Sequence, residues 1–592
     1  MNTHQLIVPT LDALKQQSSA QLTQLAEDIR QFLICNISAT GGHIGANLSV
    51  VELTIAIHAV FNSPTDKIIF DTGHQGYTHK ILTGRVDNFA TLNQYRGMNR
   101  FVARNESEHD AIDASHAGTS LSIASGYAKA LKLTSPANYV VSMIGDGSLV
   151  EGMAFEGLNY CAEDKDNKLI IVINDNEMAI AKSVGGMRNL TSGENWQQNS
   201  RAFFEGMGFG YLLVEDGHDI ACLLKQLATA KQLARPVIVH VKTEKGKGLA
   251  CAKDHPYKMH FSMPFDAQTG KGAAATVVGR TYAVVAAEAL KQKMATDEDV
   301  FAMTPATPYA SSMDECLALY PDRALDVGMA EQQAVGMACG LALGGKKPVV
   351  CMQTTFMQRA YDQLIHDACY MDLPVTIFGV RAGFSGYDGA THHGIYDIPY
   401  LRSFPNMQVM YPVSSDDLTA LIEKRLANPQ GPMVILYPYE PIPSPEPDAG
   451  VVEPCGLSVA AKGSDGYLVC LGNRLAAAYE LKALLKVQGK DCGIICVQSI
   501  KPFPAARFIE LIEHTKHLIT LEESVLNGGF GSLILETLAD ANMSIQVLRS
   551  GVNDKFVLPG NKDECSTECD MMPVQIIERL ALQWPDYLGV NK

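Results

Sequence analysis

The sequence predicts an α/β protein of three doubly wound domains, each a parallel sheet covered by helices on both faces. Three observations carry that expectation. Apolar runs of strand length alternate with helical patterns along almost the whole chain, the pattern of βαβ units. The runs are continuous, as strands buried on both faces require. The chain also has 592 residues, more than one hydrophobic core serves, so three domains of ordinary size are expected.

In chain order, "NYVVSMI" reads as a strand, "VEGMAFEGLNYCA" as a helix and "KLIIVIN" as the next strand. Further along, "KPVVCMQ", "LPVTIFGV" and "MQVMYPV" read as strands of a second sheet. Two composition shifts mark boundaries. The stretch "FSMPFDAQTGKGAAAT" (261–276) is rich in small and turn residues, and "YPYEPIPSPEPDAG" (437–450) is proline-rich enough to be a linker or irregular loop. The expected domains are therefore 1–275, 276–450 and 451–592, with no short-period repeat.

Hydrophobic residues make up 47% of the chain and charged residues 19%, which excludes a disordered or fibrous protein. A net charge of −16, with no basic run to offset it, argues against nucleic acid as a partner. No apolar run approaches a membrane span of roughly 20 residues, and the start "MNTHQLIVPTLDALKQQ" lacks a signal-peptide pattern. A cytoplasmic protein with no membrane partner is the expectation. The 14 cysteines sit mostly in apolar contexts and read as reduced core thiols. Cys492 and Cys496 share their spacing with Cys565 and Cys569, but without a nearby histidine a zinc site is not expected.

The stretch "GDGSLVEGMAFEGLNYCAEDKDNKLIIVINDNEMAI", beginning at Gly145, carries the first chemistry. A strand ends at Gly145, the turn Gly145, Asp146, Gly147, Ser148 follows, and a helix is expected from near Leu149. Backbone N–H groups at such a helix start favour a phosphate. The next strand ends at "NDNE" and presents Asn176 beside Asp146. The Asp146 carboxylate, the Asn176 amide oxygen and a backbone carbonyl, assigned to Met178, are hard oxygen ligands. Two phosphate oxygens and water would complete an octahedral magnesium ion, Mg2+. Gly, Asn and Asp are also ordinary turn formers, and either motif alone would read that way. Neither G-x-x-x-x-G-K-[ST] nor G-x-G-x-x-G fits here. GDG followed about thirty residues later by NDN, each closing a strand, is identified as the fingerprint of thiamine diphosphate (ThDP) binding.

A second half of such a site stands in "LDVGMAEQQAVGMACGLALGG", where Glu331 opens an apolar helix. A first-turn glutamate complementing the helix dipole would look the same. In ThDP enzymes a glutamate in this context bonds the aminopyrimidine ring nitrogen, so its pKa should be raised by burial. Phe356, in "TTFMQRAYDQ", suits stacking on the pyrimidine and equally suits a core.

With these motifs in place, nearly the whole chain resembles the 1-deoxy-D-xylulose-5-phosphate synthase family, ThDP enzymes of the transketolase superfamily. The resemblance rests on "GGHIGANLSVVELTIAIHAVFNSPTDKIIFDTGHQGYTHKILTGR", "GDGSLVEGMAFE", "VINDNEM", "AEQQAV", "TTFMQRAYDQLIHD" and "RAGFSGYDGATHHGIYDIPYLR", similar in order and spacing. It implies a transketolase-like fold and a reaction that decarboxylates pyruvate and passes a two-carbon unit to an aldehyde, D-glyceraldehyde 3-phosphate in the family. His43 in "GGHIG" and His74 in "DTGHQ" match histidines facing the thiazolium and the ketoacid. His392 in "DGATHHG" matches one used in binding and proton transfer, and His116 and His260 match others lining the site. Arg381 and Asp388 match acceptor-binding residues, and Arg359 is a further cation for the substrate. Histidines with pKa values near neutral suit a site that moves protons.

The segment from 451, with "KHLITLEESVLNGGFGSLILETL", resembles the family's third domain, whose role is dimer packing. A homodimer is implied, with each site formed by the first two domains of one chain. Glu522 and Glu523 read as end-of-strand charges. Five departures from the family pattern stand out: the segment 185–206 is shortened, "AEQQ" and "SHAG" are altered, Gln353 falls where the family has a tyrosine, and Tyr439 falls where it has an arginine. Those last two hold the acceptor's phosphate in the family. A carboligase that joins pyruvate to another aldehyde therefore stands as an alternative. A catalytically silent ThDP-binding regulator is a third reading, opposed by the presence of Glu331, His43, His74 and His392.

Overall fold

The computed structural model describes residues 6–272 and 279–589, so the boundary expected near 275 lies outside the described residues. The chain divides into two compact units, Met1–Val277 with Gly328–Ala330, and Val278–Val327 with Glu331–Lys592.

The first unit is built on β1 (Lys67–Phe70), β2 (Val140–Gly145), β3 (Leu169–Asp175), β4 (Gly210–Val214) and β5 (Val237–Lys242). They form one wholly parallel sheet in the order β1-β2-β3-β5-β4. Every residue of the central strand β3 is buried, which is why its sequence is a continuous apolar run. The long helix Ser19–Thr40 starts on a capping box in which Ser18 and Gln21 satisfy each other's backbone N–H groups. It delivers the chain into "GGHIG". There the short helix Ile44–Leu48 lies directly on the backbone of Lys258 and Met259. The Gly45 N–H donates to the Met259 carbonyl at 2.8 Å. A Cβ on Gly45 would stand 2.0 Å from the Lys258 carbonyl oxygen, so only glycine permits this approach.

The second unit carries two sheets. One uses β6 (Val300–Thr304), β7 (Ala324–Asp326), β8 (Lys347–Gln353), β9 (Thr376–Val380), β10 (Gln408–Met410) and β11 (Met433–Tyr437). The other uses β12 (Leu457–Ala461), β13 (Tyr467–Cys470), β14 (Gly493–Val497), β16 (His517–Val525) and β17 (Gln546–Val552). Between β14 and β16, β15 (Ser499–Lys501) leaves this second group and pairs antiparallel with β10, at the edge of the first. The orders are β15-β10-β11-β9-β8-β6-β7 and β12-β14-β13-β16-β17. In the second of these sheets, β12 is an antiparallel edge.

The proline-rich stretch 437–450 is irregular, as its composition predicts, and leads from β11 toward β12. It does not separate the cores. One apolar cluster contains Val350, Met352 and Ile377 from before the stretch and Val469, Ile495 and Phe508 from after it.

Glu522 and Glu523 lie near the end of β16, as the sequence predicts, and both are buried. Glu522 accepts the N–H groups of Phe530 and Gly531, at 2.6 and 2.7 Å, where the helix Phe530–Asp540 begins. Burial pushes its carboxyl up to about 7. For Glu523, burial also acts to raise the pKa, but Lys562 at 3.0 Å and Arg474 at 3.5 Å bring it down on balance. Each carboxylate is tolerated inside because the fold supplies its donors. Among the described residues, no helix is long and apolar enough to cross a membrane.

Candidate active site

In the first unit the site is assembled at the carboxyl ends of β2 and β3, where ligands of parallel sheets bind. The Asp146 N–H donates to the Asn174 carbonyl at 3.1 Å, which extends the β2–β3 pairing one step past the strand end. The turn after it differs from expectation. Ser148–Val150 is a 3₁₀ turn, Glu151 is extended (φ −63°, ψ 136°), and the α-helix starts only at Gly152. Glu151 is buried and packed on Gly118, a contact that a continuous helix from Leu149 would have to give up. The amides of Gly145–Ser148 thus belong to a tight turn, not to an α-helix end.

Asp146 is buried. One carboxylate oxygen accepts from Ser183 Oγ at 2.9 Å and the other from the Asn176 N–H at 3.4 Å. Burial, and after it the charge of Asp175, pushes its pKa up to about 7, against the pull of Ser183, Asn176 and Lys245. The Asn176 Oδ1 is buried and has no hydrogen-bond partner among the described residues. Met178 follows in the same loop, bridged to Lys182. A Cβ on Gly147 would lie 2.5 Å from the Ala179 Cα, so the glycine lets the Asp146 turn and the Asn176 loop close on each other.

Lys245 was not singled out from the sequence. It sits in the Gly-rich "TEKGKG" loop after β5, is buried, and donates from Nζ to the Ala179 carbonyl at 2.5 Å. Burial lowers its pKa to about 7, with the nearby Asp146 carboxylate opposing the fall. The signal available was a lysine just ahead of a glycine-rich turn at a strand end. A cleft of about 490 Å³ is lined by Asn176, Met178, Thr243, Lys245 and Gly246.

The structure gathers three of the predicted histidines. The His43 ring centroid lies 5.4 Å from that of His74 and 5.6 Å from that of His260, and His74 and His260 are 5.1 Å apart. Phe101 and Phe261 flank His43 at 5.5 and 5.2 Å. The expectation of near-neutral pKa values fails for two of them. Burial, reinforced by the Lys245 charge, pushes His74 down to about 3 and His260 well below its ordinary value. Both rings are therefore neutral at physiological pH. His116 is half-buried in the turn ahead of the helix Ser120–Thr134, where the N–H groups of Gly118 and Ser120 bond Asp71 at 3.0 and 3.2 Å.

In the second unit Glu331 is the first residue of the helix Glu331–Leu343 and only 5% exposed. Burial raises its pKa to about 7, with Arg359 among the groups opposing the rise. Its Oε2 has no hydrogen-bond partner among the described residues. Arg359 itself is half-buried in the turn Gln358–Ala360. Phe356, in the short helix Thr354–Met357 after β8, meets the His392 ring edge-on at 5.5 Å. The His392 backbone is tied by Ser385 Oγ, which donates to its carbonyl at 2.6 Å. The adjacent His393 is structural, its Nδ1 accepting the Ser385 N–H at 3.0 Å.

Gln353 ends β8, buried, with its Oε1 unpartnered among the described residues. Arg381 follows β9 at φ 66°, a left-handed conformation that costs a non-glycine residue energy and is common at functional sites. Its Nη1 donates to Asp388 at 2.8 Å, and its guanidinium lies 4.3 Å over the ring of Tyr439. Arg381, Asp388 and Tyr439 thus form one cluster, with Phe356 and His392 a second.

Known proteins match nearly the whole chain. Residues 7–201 and 193–243 match the family profile described as 1-deoxy-D-xylulose-5-phosphate synthase. Residues 279–443 match the transketolase pyrimidine binding domain, and 457–576 the transketolase C-terminal domain. A protein of Shouchella clausii (strain KSM-K16) named 1-deoxy-D-xylulose-5-phosphate synthase is 39% identical over 626 residues, covering 99% of each chain. The protein of that name from Geobacillus thermodenitrificans (strain NG80-2) is 38% identical, covering 97% of each. That from Listeria monocytogenes serotype 4b (strain CLIP80459) is 39% identical, covering 93% of this chain and 92% of its own. Coverage of nearly the full length at this identity, on a sheet-end arrangement of GDG, NDN and a buried helix-initial glutamate, shows that the chain belongs to the 1-deoxy-D-xylulose-5-phosphate synthase family.

Proposed function

We propose that this chain decarboxylates pyruvate and transfers the remaining two-carbon unit to D-glyceraldehyde 3-phosphate, forming 1-deoxy-D-xylulose 5-phosphate and carbon dioxide, with thiamine diphosphate and Mg2+ as cofactors. The observation that carries this reading is the pair of buried oxygen donors at Asp146 and Asn176, one of them unpartnered. Burying such groups is costly until a cation arrives to use them. Among the described residues, no group of three His, Cys, Asp or Glu side chains could hold a metal. An ion at Asp146 and Asn176 therefore takes its other ligands from the Met178 carbonyl, water and a diphosphate.

The residues divide the work by their chemistry. Lys245 and the amides of Gly147 and Ser148 suit the diphosphate, and Gly147 lets the loop of Asn176 close against this turn. Glu331 holds a proton at its carboxyl up to about pH 7 and suits a ring nitrogen of the aminopyrimidine. Phe356 offers a ring face to the same group. Thiamine diphosphate, when bound, supplies the electron sink that decarboxylation of a ketoacid needs. His74 and His260 present neutral imidazoles that donate or accept a hydrogen bond to the ketoacid without adding charge, and His43 stands beside them. His392 is placed by Ser385 to exchange a proton with the substrate. The working form is a homodimer in the cytoplasm, and sedimentation at about twice 64.1 kDa is the expected result.

The test combines binding and product. Asp146→Ala is expected to abolish Mg2+-dependent ThDP binding in calorimetry while the chain stays folded. The parent, given pyruvate and glyceraldehyde 3-phosphate, is expected to yield 1-deoxyxylulose 5-phosphate by mass spectrometry. Tight ThDP binding by the variant would remove the metal assignment.

One observation favours a second reading of the acceptor. Arg381 is already paired with Asp388 and covered by Tyr439, so its charge is largely neutralised, and Gln353 and Tyr439 add none. A dianionic phosphate gains less here than from two free guanidinium groups. On this reading glyceraldehyde 3-phosphate is used with a raised KM and another aldehyde is preferred. A micromolar KM with rapid turnover would dismiss it. Improvement by Gln353→Tyr with Tyr439→Arg would support it.

A further inference from the structure

We propose that Asn47 is a positioning residue, which holds His43 and His74 in the arrangement the ketoacid requires; this rests on the reading of those two histidines given above. Asn47 lies in the helix Ile44–Leu48 and is completely buried. Its side-chain Nδ2 donates to two carbonyls, that of His43 at 2.7 Å and that of His74 at 2.7 Å. Its Oδ1 accepts the Tyr77 N–H at 2.9 Å. Two carbonyls demand donors and one N–H demands an acceptor, so the orientation of the amide is fixed by its partners. Tyr77, itself fully buried, adds a second strap when its hydroxyl accepts the His43 N–H at 3.3 Å.

One amide therefore joins two segments that are far apart in sequence, "GGHIG" and "DTGHQ", each at the residue whose ring enters the histidine cluster. Few other side chains fit the role. Aspartate would turn an acceptor oxygen toward both carbonyls, where a donor is needed. Serine has one donor and a shorter reach, glutamine is one methylene too long, and leucine of similar volume has no polar atom. The three bonds satisfy the amide in a dry interior, where each is stronger than in water and the loss of any one is felt. The bonds go to the backbone carbonyls of the two histidines and not to their rings. Displacing these rings by about 1 Å is enough to cost about 100-fold in turnover.

The experiment uses the full chain with saturating ThDP and Mg2+. Asn47→Leu, which keeps volume, and Asn47→Ala, which relieves any clash, are each made alone and together with His74→Ala. The readouts are kcat and KM for pyruvate, the ThDP dissociation constant and the melting temperature. The proposal expects kcat to fall about 100-fold while ThDP affinity stays within about threefold. It also expects the Asn47 substitutions to cost clearly less in the His74→Ala background than in the parent, because part of their effect acts through that ring. Losses that multiply in the double variants overturn it, as does a kcat within about threefold of the parent in either single variant. A fall in ThDP affinity that matches the fall in kcat reduces Asn47 to a structural group and also overturns it. If His43→Ala and His74→Ala keep full kcat, the reading of the histidines fails and the role of Asn47 fails with it. If those two lose activity and the Asn47 variants do not, only the present proposal fails.

Discussion

Glu331 carries its carboxyl into the interior at the first turn of a helix, where burial holds the proton on to about pH 7 instead of 4.5. A raised folded-state pKa means that the folded chain binds the proton more tightly than the unfolded one. The associated stability is complete below about pH 4.5 and is lost as pH rises through about 7. At pH 8 the cost reaches about 3 kcal/mol. Glu331→Gln keeps the shape without the ionisation. It is expected to raise the melting temperature of the cofactor-free chain clearly at pH 8 and hardly at pH 5, while abolishing activity. Equal effects at the two pH values would show a carboxyl that ionises normally. His74 has the opposite sign. Its pKa is pushed down to about 3, chiefly by burial, so the stability it contributes is present above about pH 6.5 and is lost as pH falls toward 3. His74→Gln should therefore flatten the acid side of the stability profile, by about 1.4 kcal/mol per pH unit below 6.5. Urea melts at pH 6.5 and 4.5 with an unchanged difference between parent and variant would refute that.

Among the elements, the strand-end turns bear most of the chemistry, and the Gly147 turn is closely packed. Alanine there would place a methyl group 2.5 Å from the Ala179 Cα, and the loop carrying Asn176 must yield. Gly147→Ala is expected to weaken ThDP binding at least about 10-fold, about 1.4 kcal/mol, with only a small change in melting temperature because the sheet beneath is untouched. Calorimetry and a thermal melt on the same sample check both halves. This turn was legible in the sequence because parallel strands end side by side, so Asp146 and Asn176 become neighbours from spacing alone. Glu331 was legible for the similar reason that it opens an apolar helix. The 3₁₀ turn at Ser148–Val150 was not, because it depends on Glu151 packing against Gly118. Asn47 and Lys245 were hidden for the same reason: their partners at His74 and Ala179 lie 27 and 66 residues away. The burial of Glu522 and Glu523 is not legible because local sequence gives no sign of Lys562, Arg474 or the helix start that receives them.

At the scale of the whole molecule, the second unit joins what composition divides. The apolar cluster and β15 both cross the proline-rich stretch, so a cut near 450 would strip β10 of one of its two neighbours and expose buried apolar surface. A fragment of residues 279–589 is expected to melt in one cooperative transition, and one of residues 279–450 to aggregate or bind a hydrophobic dye. Cooperative melting of the shorter fragment would show that its core is self-sufficient. The same strand exchange has a consequence for synthesis. The chain must be extended about ninety residues beyond β10 before β15 exists. At roughly 5–20 residues per second, that leaves a bare sheet edge waiting for about 5–18 s on every ribosome that makes this protein. The long gap between those two short strands makes the nascent chain a client for whatever shields open edges, and ties its yield to the speed at which the last third is translated.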